Sequence, residues 1–467
     1  MLNYKLKIGL IPMRRDIADG KKRKGIFEPG KAEERCRMAV KYIKEKFTDD
    51  ITEFVDLDWL NDEAMLIRTD ECEQVRDYLI KENVNAIFII NCNFGNEEAA
   101  GTIAKMMQLP TLLWGPQDTV FEPDGVRYTD SQCGLFAISN QFRRLKVPFS
   151  YIENCRIEDE IFTNGFERFL SVATMVNNFK NLRITLVGTR LNPFKSVMVN
   201  ELELTERFGF NMQTVNMAVV MDKFPKIYDK MSDLLDADVE KIKSQYDVKS
   251  LSDEDIKKML TFVYLYIEIF NETKADVLAS ECGTSMPLGV GANPCLAMSV
   301  IYDMGYIVAC ESDIYGAVTS ALLTCAARGK KASMFGEFTV RHPENRNAEL
   351  LWHCGPFPYS MKKDGIQAEL FNGKPSFRVK DGRYTIARFQ GDGGKYTLLG
   401  GEFNSTEGPH TFGTHVWAEF KNLSAIEKKL INGQYIHHMS EIYGEYSEVL
   451  EEFCKYVDGL EFDPIEE

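Results

Sequence analysis

The pattern that most constrains this chain is an alternation of short apolar runs with segments whose apolar residues recur at helical spacing. "LKIGLIP" (6–12) is followed by "EERCRMAVKYIKEKF" (33–47), "VNAIFIINC" (84–92) by "EEAAGTIAKMM", and "PTLLWG" (110–115) by "SQCGLFAISNQFRRL". Continuous apolar runs of this length suit strands buried on both faces, and strands separated by helices imply a parallel sheet covered on each side. A second cycle begins near residue 166. "NLRITLVGT" (181–189), "ADVLASECG" (275–283) and "YIVACESD" (306–313) read as strands with helices between them, and "ASMFGEFTV" (332–340) completes the unit. After about 350 the texture becomes alternating, aromatic and glycine-rich. "FRVKDGRYTIARFQGDGGKYTLLGGEFN" offers "KDG" and "GDGG" as hairpin turns, and one helix, "GEYSEVLEEFCKYV", follows. The expected class is α/β: two doubly wound parallel-sheet domains, a Rossmann-like one over 1–165 and a central one over 166–350, then a β-rich, barrel-like domain over 351–467.

Charge and composition exclude several functions. The 70 acidic against 55 basic residues leave a net charge of −15, which disfavours nucleic acid and acidic membrane surfaces as main partners. No stretch reaches the roughly 20 apolar residues of a membrane span. Eleven cysteines without a Cys-x-x-Cys spacing fit buried thiols in a reducing compartment. With no signal-peptide layout in "MLNYKLKIGLIP", a cytoplasmic location is expected. "LGVGAN" lacks the third glycine of a dinucleotide fingerprint, and no phosphate-cradling loop occurs. Cys295 has no neighbouring sequence partner for nucleophilic catalysis and reads as a helix-packing residue.

Carboxylates carry the chemical signal. In "YIVACESDIYGAVTSALLTCAARGKKASMFGEFTVRH" two apolar runs stop at Glu311 and Glu337, and Glu281 ends the strand before them. Ligand crevices of open α/β sheets lie outside the carboxyl ends of the strands. Any one of these acids serves equally well as a helix cap or a solvated side chain. Three in one domain point to an anionic pocket, which a divalent cation such as Mn²⁺, Mg²⁺ or Co²⁺ would neutralise. All six histidines follow position 341. Of these, His437 and His438 are expected to close a strand in "GQYIHHMSEIYGE", where alternation admits only one of the two to a given pocket. His410 and His415 lie in the glycine-rich "EGPHTFGTH", and the basic run from Arg14 through Arg23 to Lys24 is either solvated or an anion grip.

These segments resemble the L-fucose isomerase and L-arabinose isomerase superfamily, on the fucose side. "KIGLIPMRRDIADGKKRKGIFEPGKAEERCRMA" and "NCNFGNEEAAGTIAKMMQLPTLLWGPQ" resemble its N-terminal segments. "YIVACESDIYGAVTSALL" with "ASMFGEFTV" resembles its acid-bearing unit, and "YIHHMSEIYGEYSEVLEEFCKYV" its closing histidine segment. The resemblance implies a Mn²⁺-type site of Glu311, Glu337 and one of His437 or His438, the two glutamates also moving protons. The second acid is an aspartate in many fucose isomerases and a glutamate here. Glu281, His353, His410, Arg14, Arg23 and Asn93 stand as candidate substrate contacts.

The implied activity is aldose–ketose isomerisation of an open-chain monosaccharide through a cis-enediol. The sugar would be a 6-deoxyhexose, a pentose or a 6-substituted hexose, with a sulfonated hexose such as sulfoquinovose as the alternative. The family also implies a homo-oligomer, often a hexamer. A non-catalytic sugar-binding protein on the same scaffold is the competing class.

Overall fold

The computed structural model describes residues 1–17, 24–249 and 251–466, and the chain divides into two units. The N-terminal unit comprises Tyr4–Asn177 and Lys455–Asp458. Its sheet contains β1 (Leu6–Met13), β2 (Thr52–Val55), β3 (Ala86–Asn91), β4 (Thr111–Trp114) and β5 (Ser150–Tyr151), in the order β2-β1-β3-β4-β5, all parallel. Every residue of β3 is buried, as the apolar run predicts for a central strand covered on both sides. Alternate residues feed two cores: Ile8, Phe88, Ile90 and Trp114 pack on one face, and Ile11, Ile87, Ile89 and Leu113 on the other.

The C-terminal unit contains Met1–Asn3, Asn178–Cys454 and Gly459–Glu467. A second parallel sheet opens it: β6 (Arg183–Val187), β7 (Asn211–Val215), β9 (Val277–Ser280) and β10 (Val308–Ala309), in the order β10-β9-β6-β7. The short β8 (Tyr246–Asp247) pairs elsewhere, with β13 (Ala368–Phe371). Among the described residues, the helices Met217–Lys230, Ser232–Gln245 and Asp253–Thr273 fill the stretch between β7 and β9.

The remaining strands build the β-rich part. They are β11 (Met334–Arg341), β12 (Ala348–His353), β14 (Lys374–Arg378), β15 (Arg383–Asp392), β16 (Lys395–Thr406), β17 (Thr414–Glu419), β18 (His438–Tyr443) and β19 (Leu460–Pro464). Neighbours run β16-β15-β18-β11-β12-β17, and β17 pairs back to β16, so six antiparallel strands close into a barrel. The class expected from the sequence, parallel α/β sheets followed by a barrel-like β module, is the class observed. Gly393 and Gly394, both with positive φ, turn β15 into β16 where "GDGG" predicted a hairpin.

Three local expectations need correction. "KDG" joins β14 to β15, which are not sheet neighbours, so it makes no hairpin. The strand read over 306–313 is hydrogen-bonded only at Val308–Ala309, and a tight turn, Cys310–Ser312, follows at once. A helix over Leu423–Asn432 adds to the one near the C-terminus, Ser447–Cys454; its apolar positions Leu423 and Ile426 lie at helical spacing.

Candidate functional site

Glu311 sits just past the carboxyl end of β10, where the strand-end argument placed it. The turn holds it at φ 61° and Ser312 at φ 60°, a left-handed conformation that non-glycine residues avoid. Two successive residues there mark local strain that the surrounding packing sustains. Glu337 reaches the same place by a different route from the one expected. It lies inside β11, an antiparallel barrel strand, and not at the end of a parallel one. Its register partner on β18 is His438, so the two side chains stand side by side on one face.

His438 is the centre of the cluster. Its ring is buried, with Nδ1 2.9 Å from Asp313 Oδ2, and Nε2 3.1 Å from Glu311 Oε2 and 3.9 Å from Glu337 Oε2. Asp313 also receives Arg388, whose Nη1 and Nη2 lie 2.5 and 3.1 Å from its two oxygens. Both side chains of that ion pair are completely buried. Burial works to raise the pKa of Asp313, but Arg388 and His438 outweigh it and hold the carboxyl well below the usual range. An ionised Asp313 can only accept, so the proton between it and His438 belongs to Nδ1. Nε2 then faces Glu311 and Glu337; burial works to lower the His438 pKa, but Asp313 and Glu311 outweigh it and raise it above its ordinary value.

That nitrogen has no aligned hydrogen-bond partner among the described residues. A buried imidazole nitrogen facing two carboxylates, with a third carboxylate fixing the opposite nitrogen, is an arrangement consistent with a hard divalent cation. Ligand atoms of Glu337, His437 and His438 also lie within 4.8 Å of one another. His437 precedes β18, so strand alternation does not keep it away, and its Nε2 approaches Glu337 Oε2 to 3.3 Å. The pair therefore opens the strand where the sequence suggested that it closes one. His437 is half exposed while His438 is 1% exposed. Burial pushes the Glu337 pKa up, yet the three imidazoles of His437, His353 and His438 bring it below its ordinary value.

The other candidate residues separate by position. His353 ends β12, buried, its Nδ1 accepting from the Cys354 N–H at 2.9 Å and its Nε2 without a partner. Glu311 and Glu337 both act on it electrostatically, so it belongs to the cluster. Glu281 follows β9, but its Oε1 accepts from the Ser285 N–H at 2.8 Å and its Oε2 from the Thr189 N–H at 3.4 Å, the helix-cap role weighed against function. His410 is an exposed loop residue whose ring centroid is 6.5 Å from that of His415. In the N-terminal unit, Arg14 is buried and bidentate to Glu63, at 2.6 and 2.9 Å, so its charge is already matched. Asn93 accepts from the N–H groups of Arg15 and Gly95. Arg23 lies outside the described residues.

The sequence pattern singles out neither Arg388 nor Asp313, although Asp313 also caps the helix it precedes, its Oδ1 accepting from the Gly316 N–H at 2.9 Å. The available signal for Arg388 was a lone cation within the apolar strand "YTIARFQ", where an unpaired charge is costly.

Residues 21–180 match the model of the fucose/sulfoquinovose isomerase N-terminal domain. A sulfoquinovose isomerase of Priestia aryabhattai is 24% identical over 408 residues, 85% of this chain and 89% of its own. The sulfoquinovose isomerase of Alkalicoccus urumqiensis is 22% identical over 377 residues, 79% and 83% of the two chains. That of Clostridium sp. (strain MSTE9) is 24% identical over 312 residues, 66% and 67%. No helix among the described residues is long and apolar enough to cross a membrane. Over residues 21–180 by the family model, and over most of its length by these relatives, the chain resembles the fucose isomerase-like sugar isomerases.

Proposed function

We propose that this chain is a divalent-metal-dependent aldose–ketose isomerase whose substrate is a 6-sulfonated hexose of the sulfoquinovose type. The observation that carries the metal part is the buried His438 ring, fixed at Nδ1 by Asp313, whose Nε2 faces Glu311 Oε2 at 3.1 Å and Glu337 Oε2 at 3.9 Å. Glu311, Glu337 and His438 would hold the ion, with His437 or His353 at its margin. When bound, such an ion polarises the carbonyl and orients the two terminal oxygens of the open-chain sugar. Support for the sulfonated substrate comes from the relatives, which are named for it and span most of this chain.

The chain's own residues supply the proton transfers. One of Glu311 and Glu337 takes the proton from C2 and returns it to C1, passing through a cis-enediol. The other carries the hydroxyl proton from O2 to O1, so atoms balance between aldose and ketose. Glu337, kept ionised by its imidazole neighbours, suits the role of base. Asp313 and Arg388 stay outside the transfer and hold the His438 ring in one tautomer.

The test is incubation of the purified protein with Mn²⁺ and a panel of aldoses, including sulfoquinovose, L-fucose and pentoses, with ketose formation measured. Turnover of the sulfonated sugar above the others, lost in Glu311→Gln and Glu337→Gln, is the expected result. Turnover of L-fucose alone would move the substrate to the 6-deoxyhexoses. Near-full activity in both Gln variants would remove the assignment of the acids.

A further inference from the structure

The barrel end beside the candidate site carries a group of thiols that isomerisation does not use. Cys295 Sγ lies 3.5 Å from Cys354 Sγ, and Cys310 Sγ lies 3.2 Å from Met298 Sδ. Cys282 is close enough to Cys310 to act on its thiol directly. Each of three cysteines adjoins a residue already discussed: Cys282 follows Glu281, Cys310 precedes Glu311 and Cys354 follows His353. These thiols do not converge as one metal shell, for among the described residues only Glu337, His437 and His438 meet that condition. The Cys295–Cys354 pair is different in kind. Its sulfurs are in van der Waals contact, and rotation about the side chains can bring them to the roughly 2.05 Å of a disulfide.

We propose that Cys354 and Cys295 are a peroxide-sensitive modification site, forming a reversible disulfide that disables the neighbouring sugar site. The two sulfurs have unequal roles. Cys354 is partly exposed, and Cys295 is 3% exposed at the start of the helix Cys295–Asp303. Cys354, the more exposed of the two, attacks hydrogen peroxide. An S–O bond forms as the O–O bond breaks, giving a sulfenic acid, and the departing hydroxide takes up the thiol proton as water. The Cys295 thiol then attacks that sulfur, the S–S bond forms, and the sulfenic oxygen leaves with the Cys295 proton as a second water. Two thiols lose two electrons and one peroxide becomes two waters.

The consequence for the site follows from one hydrogen bond. The Cys354 N–H is the donor that holds His353 Nδ1, at 2.9 Å. Drawing Cys354 toward the helix start loosens that bond and turns the ring away from Glu311 and Glu337.

The experiment treats the Mn²⁺-loaded full chain with hydrogen peroxide, alkylates the remaining thiols under denaturing conditions and maps the peptides by mass. Expected is a Cys295–Cys354 linked pair about 2 Da lighter than the two free thiols, removed by dithiothreitol. Mn²⁺ binding by calorimetry should weaken at least about tenfold on oxidation and recover on reduction. Cys295→Ser should bind Mn²⁺ as the parent does and show no reversible loss; Cys354→Ser should form no link. The mass readout does not depend on which sugar is turned over, so its failure is separable from failure of the isomerase reading. Oxidation confined to the exposed Cys133, a Cys282–Cys310 link instead, or a Cys295–Cys354 link that leaves Mn²⁺ binding unchanged would each overturn the proposal.

Discussion

Asp313 Oδ2 stands 2.9 Å from Nδ1 of His438 across 125 positions of sequence, while the same carboxylate caps the helix Ile314–Ala326 and neutralises Arg388. One side chain thus serves a helix start and a ligand orientation at once, and substitution can separate the two. Asparagine caps a helix as well as aspartate does. Asp313→Asn should therefore keep the helix but leave the Arg388 charge buried and unmatched, lowering unfolding free energy by about 3–5 kcal/mol. It should also weaken Mn²⁺ binding by about 10–100-fold, since the ring loses its anionic anchor. Urea unfolding and calorimetric titration measure the two effects; unchanged Mn²⁺ affinity in the folded variant would confine Asp313 to capping.

The left-handed backbone at Glu311 predicts a trade between stability and activity. Glycine takes that conformation without strain, and the strain of such a residue is about 1–3 kcal/mol. Glu311→Gly should leave stability unchanged or raise it by about 1 kcal/mol, the greater freedom of unfolded glycine offsetting part of the gain. Ketose formation should disappear in the same variant. Parallel denaturation and turnover assays check this, and a loss of stability above about 2 kcal/mol would show that the turn is unstrained.

Gly316 has no room for a methyl group. A Cβ there would lie 2.2 Å from Phe335 Cε2, and Phe335 packs edge-on against His438 with ring centroids 5.2 Å apart. Gly316→Ala should cost about 1–3 kcal/mol through overpacking. Because the displaced ring borders His438, Mn²⁺ affinity should fall with it, in contrast to overpacking elsewhere in the core.

The buried His415 makes stability depend on pH. Burial, with smaller effects from His410 and Arg378, lowers its pKa from 6.5 to about 4, against the Gly413 carbonyl, which favours the charged ring. The folded chain then binds fewer protons than the unfolded chain between those two values. Stability should fall as pH drops from 6.5 toward 4 and lose no more from this group below that, by about 3 kcal/mol in all. His415→Gln should flatten that part of the profile, as followed by thermal unfolding at several pH values.

Much of this was legible before any coordinates. The run ending at Val308–Ala309 announced a strand whose end would present Glu311, and the late His437–His438 pair supplied the imidazole. Glu337 was found as an acid but given the wrong strand, because an apolar pair before a carboxylate looks alike in a parallel sheet and in a barrel. The pair His437–His438 was expected to close a strand, whereas His438 opens β18 and His437 stands just before it, so alternation does not turn His437 away from Glu337. Arg388 stayed hidden because its meaning depends on Asp313, 75 positions earlier, and no local pattern encodes that pairing.

The closed barrel also fixes when the site can come into being. His438 and Glu337 meet only after β18 has paired with β11, and Asp313 must then span 125 residues to reach the ring. Contacts so distant in sequence form late, after their loop-closure entropy has been overcome. Ion binding should accordingly follow the rate-limiting step, leaving the refolding rate of the chain independent of Mn²⁺ while slowing its unfolding. An ion held at the proposed site would then act on how long the fold lasts and not on how fast it forms.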